Sequence, residues 1–161
     1  MKAAAIGRFG PPSLLKVHTL PVPKPGPREV LIAVQSAGVG IWDESIRDGS
    51  WKLSSRTKSP LVLGTDGAGI VVATGSRVRR FRIGDRVWSY DPAAGFYAEH
   101  NAVADRKAGR VPRRVDPLQA GAGAVTGLTA RQGIDDVIVY VVVLADARAT
   151  RLRCRDRGGS S

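Results

Sequence analysis

Short runs of hydrophobic residues, separated by glycine and proline, recur along the first hundred residues of the chain. The stretch 29–36 alternates between polar and apolar positions, which is the pattern of a strand with one buried face. Six further β-rich runs predict short strands; they are 2–6, 15–20, 61–63, 69–74, 86–90 and 96–103. The pattern therefore predicts a β-dominated chain whose first two strands form a hairpin.

Two segments carry a helical pattern instead. Residues 41–48 are predicted to form a short helix that Gly49 ends, because glycine readily takes the left-handed conformation found after helix ends. Residues 117–134 are rich in alanine and leucine, and Asp116 is a suitable N-cap. Between the strands, the proline-rich stretch 21–27 is expected to be an extended connector, since proline lacks a backbone donor.

The glycine-rich stretch 121–127 superficially resembles a dinucleotide-binding turn. Such a turn follows a strand, so that the phosphate meets the N-terminus of the next helix. Here a predicted helix start precedes the glycines, and the glycine spacing is one residue too long. We therefore interpret this stretch as helix and find no dinucleotide-binding turn in the sequence.

The chain of 161 residues is 43% hydrophobic and has a formal net charge of +11. Its length fits one domain of ordinary size. The basic residues are spread along the chain, and one tight run contains Arg77, Arg79, Arg80 and Arg82. Alternation within this run favours a solvated face, with a phosphate-binding patch as the alternative. Because the basic residues are spread out, the net charge does not favour a nucleic-acid-binding protein.

Cysteine and hydropathy patterns indicate the compartment. The single cysteine, Cys154, allows no intrachain disulfide, which fits a reducing cytoplasm. The longest apolar run, 137–145, is too short to span a bilayer as a helix, and no secretory signal is evident. His18 and His100 are isolated and are expected to be partly exposed strand residues. We expect a cytoplasmic protein with no membrane partner.

Seven short motifs follow one another along the chain, and they are MKAA at 1–4, PVPKPGPREVLI at 21–32, AGVGIWD at 37–43, IRDG at 46–49, GDRV at 84–87, GFYAE at 95–99 and GLTA at 127–130. In this order they resemble the zinc-free branch of the medium-chain dehydrogenases and reductases, the NADPH-dependent quinone oxidoreductases. The resemblance covers residues 1–136 and implies a β-dominated α+β fold. That fold is a GroES-like, partly closed β-barrel with short helices, and the Rossmann domain of the family is missing from it.

The resemblance also bears on zinc. Many family members carry a His and a Glu where this chain has Thr65 and Asp66, and a Cys where it has Gly40. A hydroxyl is a poor zinc ligand, and no cysteine precedes Cys154. We therefore predict no metal site.

Residues 1–136 are expected to form the GroES-like, alcohol dehydrogenase-type N-terminal domain. Residues 137–161 contain a valine run and then alternating arginines, without a periodic apolar face. This part departs from the family and is interpreted as a divergent tail, frameshifted or disordered. A strand at 137–144 is the alternative.

By resemblance the chain is an NADPH-dependent oxidoreductase that transfers hydride from nicotinamide to a quinone or enone. Gly40, Asp43 and Thr129 match positions that contact the cofactor, and Ser45 and Trp51 match positions in the substrate cleft. Gly40 replaces a family asparagine and Ser45 a tyrosine, so an amide donor and a longer hydroxyl are lost. No side chain is assigned as catalytic, because the family mainly positions its two reactants.

Three of these residues also have a purely structural interpretation. Asp43 and Arg47 are four apart on the predicted helix and would form an ion pair. Trp51 would simply pack in the interior, and the hydroxyl of Thr129 would bond its own helix backbone.

As an isolated chain the protein is expected to be weakly active or inactive, because the family's Rossmann domain supplies most of the affinity for the cofactor.

Two alternatives to catalysis remain. The first alternative is a non-catalytic GroES-like module that binds a partner. We expect a homodimer or a dimer with a full-length paralogue, and no nucleic-acid partner. A basic nucleic-acid-binding protein is the second alternative.

Overall fold

The computed structural model describes residues 1–51, 59–93, 95–116 and 118–135. Its strands are β1 (Lys2–Ile6), β2 (Lys16–Thr19), β3 (Glu29–Ala37), β4 (Leu61–Val62), β5 (Asp66–Thr74), β6 (Arg86–Tyr90), β7 (His100–Ala104) and β8 (Ala108–Arg110). Helix α1 spans Ile41–Asp48, helix α2 is described over 118–135, and short 3₁₀ turns lie at Pro12–Leu14 and Asp105–Lys107. The chain divides into a unit Met1–Val125, which holds β1 to β8 and α1, and a second unit from Thr126.

The strands form two antiparallel sheets. One has the order β7-β3-β5-β6-β8, and the other has the order β2-β1-β4. The β3–β5 ladder shifts register between Leu31 and Ile32 and again between Val34 and Ser36. Such bulges bend a strand and increase its twist, and a bridge between Ala3 and Ala98 joins β1 to the segment before β7. The result is the predicted partly closed barrel.

Three hydrophobic clusters lie among the described residues, and two of them hold the barrel together. The smaller one lies beneath α1 and contains Ile6, Ile46 and Leu63. Phe96 is the largest fully buried side chain of the main cluster, and burial of a side chain of this size stabilises the fold by roughly 1.5–3 kcal/mol. The main cluster consists of Val30, Ile32, Val71, Val78, Phe81, Val87, Phe96, Val103 and Ala108.

Helix α1 has the predicted bounds. Asp43 and Glu44 lie in its first turn and Arg47 in its last, so the side-chain charges interact favourably with the helix dipole. Gly49 follows with φ 88°, a left-handed conformation that costs glycine little. Both the helix and its predicted end are confirmed.

Helix α2 confirms the interpretation of the glycine-rich stretch as helix. The carboxylate of Asp116 accepts a hydrogen bond from the backbone N–H of Leu118 at 2.8 Å, as expected of an N-cap. Gly121 is buried, and a Cβ there would lie 2.2 Å from Ser36 Oγ, so the helix needs glycine to approach β3. The predicted tail from residue 137 lies outside the described residues.

The remaining differences concern strand ends. Strands β1 and β6 have the predicted bounds, whereas β5 begins three residues earlier than predicted and β7 four residues later. Residues 96–97 instead donate backbone hydrogen bonds to Gly64 and Leu63 in the loop before β5. Strand β8 was not predicted, because Ala-Gly-Arg carries no strand pattern of its own. No helix in the described part of the chain is long and apolar enough to cross a membrane.

Candidate functional site

Asp43 organises the start of α1. The residue is 5% exposed, and its Oδ2 accepts hydrogen bonds from the backbone N–H of Gly40 at 2.8 Å and from the Tyr97 hydroxyl at 3.0 Å. The first bond fixes the turn that enters the helix, as the acidic residue of a capping box does. The second joins α1 to a residue 54 positions further along the chain. A single carboxylate therefore fixes the loop before α1 to the body of the barrel.

The other oxygen of this carboxylate keeps acceptor capacity. Asp43 Oδ1 and Thr65 Oγ1 are both buried and have no hydrogen-bond partner among the described residues. Buried polar atoms are nearly always hydrogen-bonded in folded proteins. These two atoms are therefore open to a donor or acceptor from outside the described residues.

Asp66 lies at the start of β5 and contacts two neighbouring segments. Its Oδ2 accepts a hydrogen bond from the backbone N–H of Val125 in α2 at 3.2 Å, and its backbone carbonyl accepts one from Gly38 N–H at 3.1 Å. A Cβ at Gly38 would lie only 2.5 Å from Asp66 Oδ1. Gly38 thus permits the loop before α1 to lie directly on this carboxylate.

Burial dominates the electrostatics of this region. It raises the pKa of Asp66, an effect that the Val125 hydrogen bond opposes and the charge of Asp43 reinforces. Burial is likewise the largest cause of the raised pKa of Tyr97, followed by the charge of Asp43, the hydrogen bond to it and the charge of Asp66. Tyr97 therefore remains protonated at neutral pH and acts as a hydrogen-bond donor.

Four of the predicted site residues lie on α1 or next to it. Gly40 is the N-cap, Asp43 lies in the first turn, and the backbone carbonyl of Ser45 accepts a hydrogen bond from Trp51 N–H at 2.9 Å. Thr129 lies in the second unit, on an exposed part of α2. The structure thus groups Gly40, Asp43, Ser45 and Trp51 around one helix.

The purely structural interpretation of Asp43, as the ion-pair partner of Arg47, is wrong. Arg47 Nη2 lies 3.6 Å from Glu44 Oε1, and Arg47 Nη1 donates a hydrogen bond to the carbonyl of Gly10. Asp43 uses Oδ2 for Gly40 and Tyr97 instead. Arg47 therefore pairs with the exposed Glu44, which lies three residues earlier on the helix, whereas the side chain of Asp43 lies against the barrel.

Large apolar side chains are exposed on both sides of α1. Val39 and Ile41 are 86% and 74% exposed at its start, and Trp51 is 42% exposed just beyond its end. Trp51 is therefore not a simple interior packing residue.

The described residues contain no group of three or more His, Cys, Asp or Glu side chains that could hold a metal ion. Thr65, at the position of the family's zinc-binding histidine, is buried at 2% exposure. His18 and His100 lie half-buried on β2 and β7, as predicted for strand residues.

Two residues of this region had no predicted role. Asp66 was noted only as the residue that stands where many family members have a glutamate, and Tyr97 only as part of the GFYAE motif. The motif was a usable signal, since a tyrosine beside buried Phe96 needs a partner for its hydroxyl. Its partner Asp43 could not be inferred from spacing along the chain.

Comparison with known proteins gives consistent results. Residues 26–113 match the alcohol dehydrogenase GroES-like domain. The chain is 33% identical over 135 residues to the quinone oxidoreductase of Homo sapiens, which covers 83% of this chain and 40% of the relative. It is 34% identical over 128 residues to the quinone oxidoreductase of Pseudomonas aeruginosa, covering 80% and 38%.

Solved structures of the same kind share the fold. The Escherichia coli quinone oxidoreductase complexed with NADPH matches with a TM-score of 0.74 at 28% identity, over 80% of this chain and 39% of that one. The quinone oxidoreductase from Coxiella burnetii matches with a TM-score of 0.74 at 32% identity, over 84% and 44%. The chain thus spans about 40% of the length of these curated relatives.

Proposed function

The chain belongs to the alcohol dehydrogenase GroES-like family, in its zinc-independent quinone oxidoreductase branch, and from that premise we propose that it forms the substrate-side domain of an NADPH-dependent quinone or enone reductase. The observation that carries the proposal is the anchoring of the loop before α1 by Asp43. Its two hydrogen bonds, to Gly40 and Tyr97, hold a partly apolar loop in one conformation. A rigid wall is what a reaction that depends on the alignment of two bound molecules requires.

Each residue of the site has a role in this proposal. Trp51 supplies a flat, partly exposed aromatic face on which a planar quinone or enone could stack. Val39 and Ile41 supply apolar surface that excludes water from the reacting pair. Ser45 lies beside Trp51 through the backbone and offers a short hydroxyl. Asp43 is a positioning residue that acts through the loop.

The bound nicotinamide would supply the hydride, so the side chains of this chain need not react. Gly40 and Asp43 are proposed to line its binding position, and Thr129 stays a prediction from the resemblance alone. The orphaned Asp43 Oδ1 fits a donor such as an amide group, because a buried carboxylate oxygen gains from a hydrogen bond. A pyrophosphate site is a different matter: every strand pairing in the described sheets is antiparallel, so the described residues contain no parallel β–α–β unit of the kind that binds a dinucleotide.

We further propose that the 161-residue chain alone turns over slowly or not at all. The Rossmann domain, which binds most of the cofactor in the family, is not among its described residues. The test is oxidation of NADPH by the purified, mass-verified chain with a simple benzoquinone, followed at the absorbance of the cofactor. The Pseudomonas aeruginosa relative serves as the positive control. We expect a rate at the protein-free background, and turnover that persists through further purification would refute this proposal.

A further inference from the structure

Arginine side chains are concentrated around β8, which is an edge strand of the five-stranded sheet. Residues 77–114 contain ten basic and four acidic residues, and nine of the ten basic residues are arginine. In the sequence they are separated into the runs 77–86, 106–110 and 113–114. Any clustering of these runs must therefore come from the fold.

Hydrogen bonds connect these runs to one another or to the residues directly beside them, and three of the bonds show the pattern. Arg110 Nη2 donates to the backbone carbonyl of Arg80 at 2.5 Å, and Arg80 Nη1 donates to that of Asp105 at 3.4 Å. Arg86 Nη2 donates to the carbonyl of Val115 at 2.6 Å. We call the resulting region the β8 basic surface, and its exposed members are Arg80, Arg82, Arg106, Arg110, Arg113 and Arg114.

The positive charge of this surface is largely uncompensated. The guanidinium carbons of Arg80 and Arg110 each lie 5.3 Å from the centroid of the Phe81 ring, so two like charges share one aromatic ring. Arg110 also pairs with Asp85 at 2.9 Å. Within the described residues, the other five members have no carboxylate within ion-pair distance. A bound polyanion would relieve this repulsion.

We propose that the β8 basic surface binds the phosphate backbone of nucleic acid without reading its sequence. Guanidinium groups match phosphate in a two-bond geometry that lysine cannot provide. Phe81 is only 4% exposed and cannot stack on a base, so the contacts are with phosphates rather than bases. An anionic membrane fits less well, since Ile83 is the one large exposed apolar side chain between residues 77 and 114 in the described part.

This proposal reverses the expectation from the sequence of no nucleic-acid partner. That expectation rested on the spread of the basic residues along the chain, in which 77–82 is the one tight run. The four arginines of this run are indeed exposed. Sequence spacing could not show that arginines from position 106 onward join the same surface. The proposal is independent of the reductase activity, because it involves neither α1 nor its neighbours.

The test measures binding of the full chain to fluorescein-labelled 25-nucleotide DNA, single-stranded and duplex, by fluorescence anisotropy between about 50 and 300 mM KCl. The logarithm of the association constant should fall linearly with the logarithm of salt, by about 0.9 per duplex phosphate neutralised. The variant R82Q/R106Q/R113Q should lower this slope by about one per arginine removed, equally for two unrelated sequences. These side chains are exposed, and none donates a hydrogen bond to another described residue, so folding should persist.

Two variants with the same change in charge serve as controls. K2Q/K16Q/K24Q removes exposed lysines remote from β8 in the sequence, and R151Q/R153Q/R155Q removes arginines beyond the described residues. Both should keep the slope of the parent chain. The proposal fails if either control loses as much binding as the β8 variant. It also fails if DNA does not bind saturably at 50 mM KCl, or if phosphatidylserine vesicles bind and DNA does not.

Discussion

The bond between Tyr97 and Asp43 holds the loop before α1, so its removal should weaken the whole unit. A hydrogen bond to a charged group typically contributes about 1.5–3 kcal/mol. We expect Tyr97→Phe to lower the free energy of unfolding by about 1–2 kcal/mol, because Asp43 Oδ2 keeps its bond to Gly40. Urea unfolding followed by circular dichroism measures the change.

Tyr90→Phe is the matched control for this substitution. Tyr90 is also partly buried, but its hydroxyl forms no hydrogen bond with another described residue. It should change stability by less than about 0.5 kcal/mol. Equal effects of the two substitutions would show that the Tyr97 hydroxyl contributes nothing specific.

Asp66 should make stability depend on pH in an unusual direction. Its pKa is raised from the ordinary value of 3.8, mainly by burial, so the folded state binds the proton more tightly than the unfolded state. The contribution of Asp66 to the free energy of unfolding is therefore greatest below pH 3.8. It falls as the pH rises from 3.8 to the raised pKa of the folded state. Asp66→Asn removes this titration while keeping an oxygen for Val125. Relative to the parent chain, the variant should gain stability as pH rises through the weakly acidic range.

Asp48→Asn provides the opposite case. Hydrogen bonds from Ser50 lower the pKa of Asp48, so its contribution is present above the ordinary pKa and is lost on acidification. This variant should lose stability relative to the parent chain at neutral pH and lose nothing in acid. Unfolding by urea at a series of pH values distinguishes the two signs. A pH-independent difference for Asp66→Asn would contradict the raised pKa.

At the scale of single elements, helix α2 contains two glycines in opposite surroundings. A Cβ at Gly123 would meet nothing within 4 Å, whereas one at Gly121 would lie 2.2 Å from Ser36 Oγ. Gly123→Ala should therefore stabilise the fold by about 0.5–1 kcal/mol through helix propensity. Gly121→Ala should destabilise it by about 1–3 kcal/mol through overpacking. Thermal unfolding of the two variants compares them directly, and equal shifts would contradict the packing of α2 on β3.

The elements also show how far sequence reasoning reaches. Helix α1 and strands β1 and β6 were predicted with the observed bounds, because their patterns and their glycine or proline boundaries are local. Strand β8 was missed, since its three residues form a strand only by pairing with Val87 to Ser89 of β6.

The candidate site also divides into features that follow from local sequence and features that need the fold. Gly40, Asp43, Ser45 and Trp51 follow from local motifs, but the contact of Asp43 with Tyr97 requires the closed barrel.

At the scale of the whole molecule, the chain spans about 40% of the length of its curated relatives. The partly closed barrel and the anchored loop of α1 are complete within the first unit. The proposed function therefore separates two contributions: this barrel positions the acceptor, and a cofactor domain supplies affinity for NADPH. If this division is right, activity should return when a cofactor domain is joined to the barrel.

The measurement that tests this division most directly is NADPH oxidation by a chimera. Residues 1–135 would be joined to the part of the Pseudomonas aeruginosa quinone oxidoreductase that this chain does not match. We predict quinone-dependent NADPH oxidation well above that of the isolated chain, reduced in a chimera that carries Trp51→Ala. A folded chimera that binds NADPH but reduces no quinone or enone would contradict the assignment of this barrel as the substrate-side domain of a reductase.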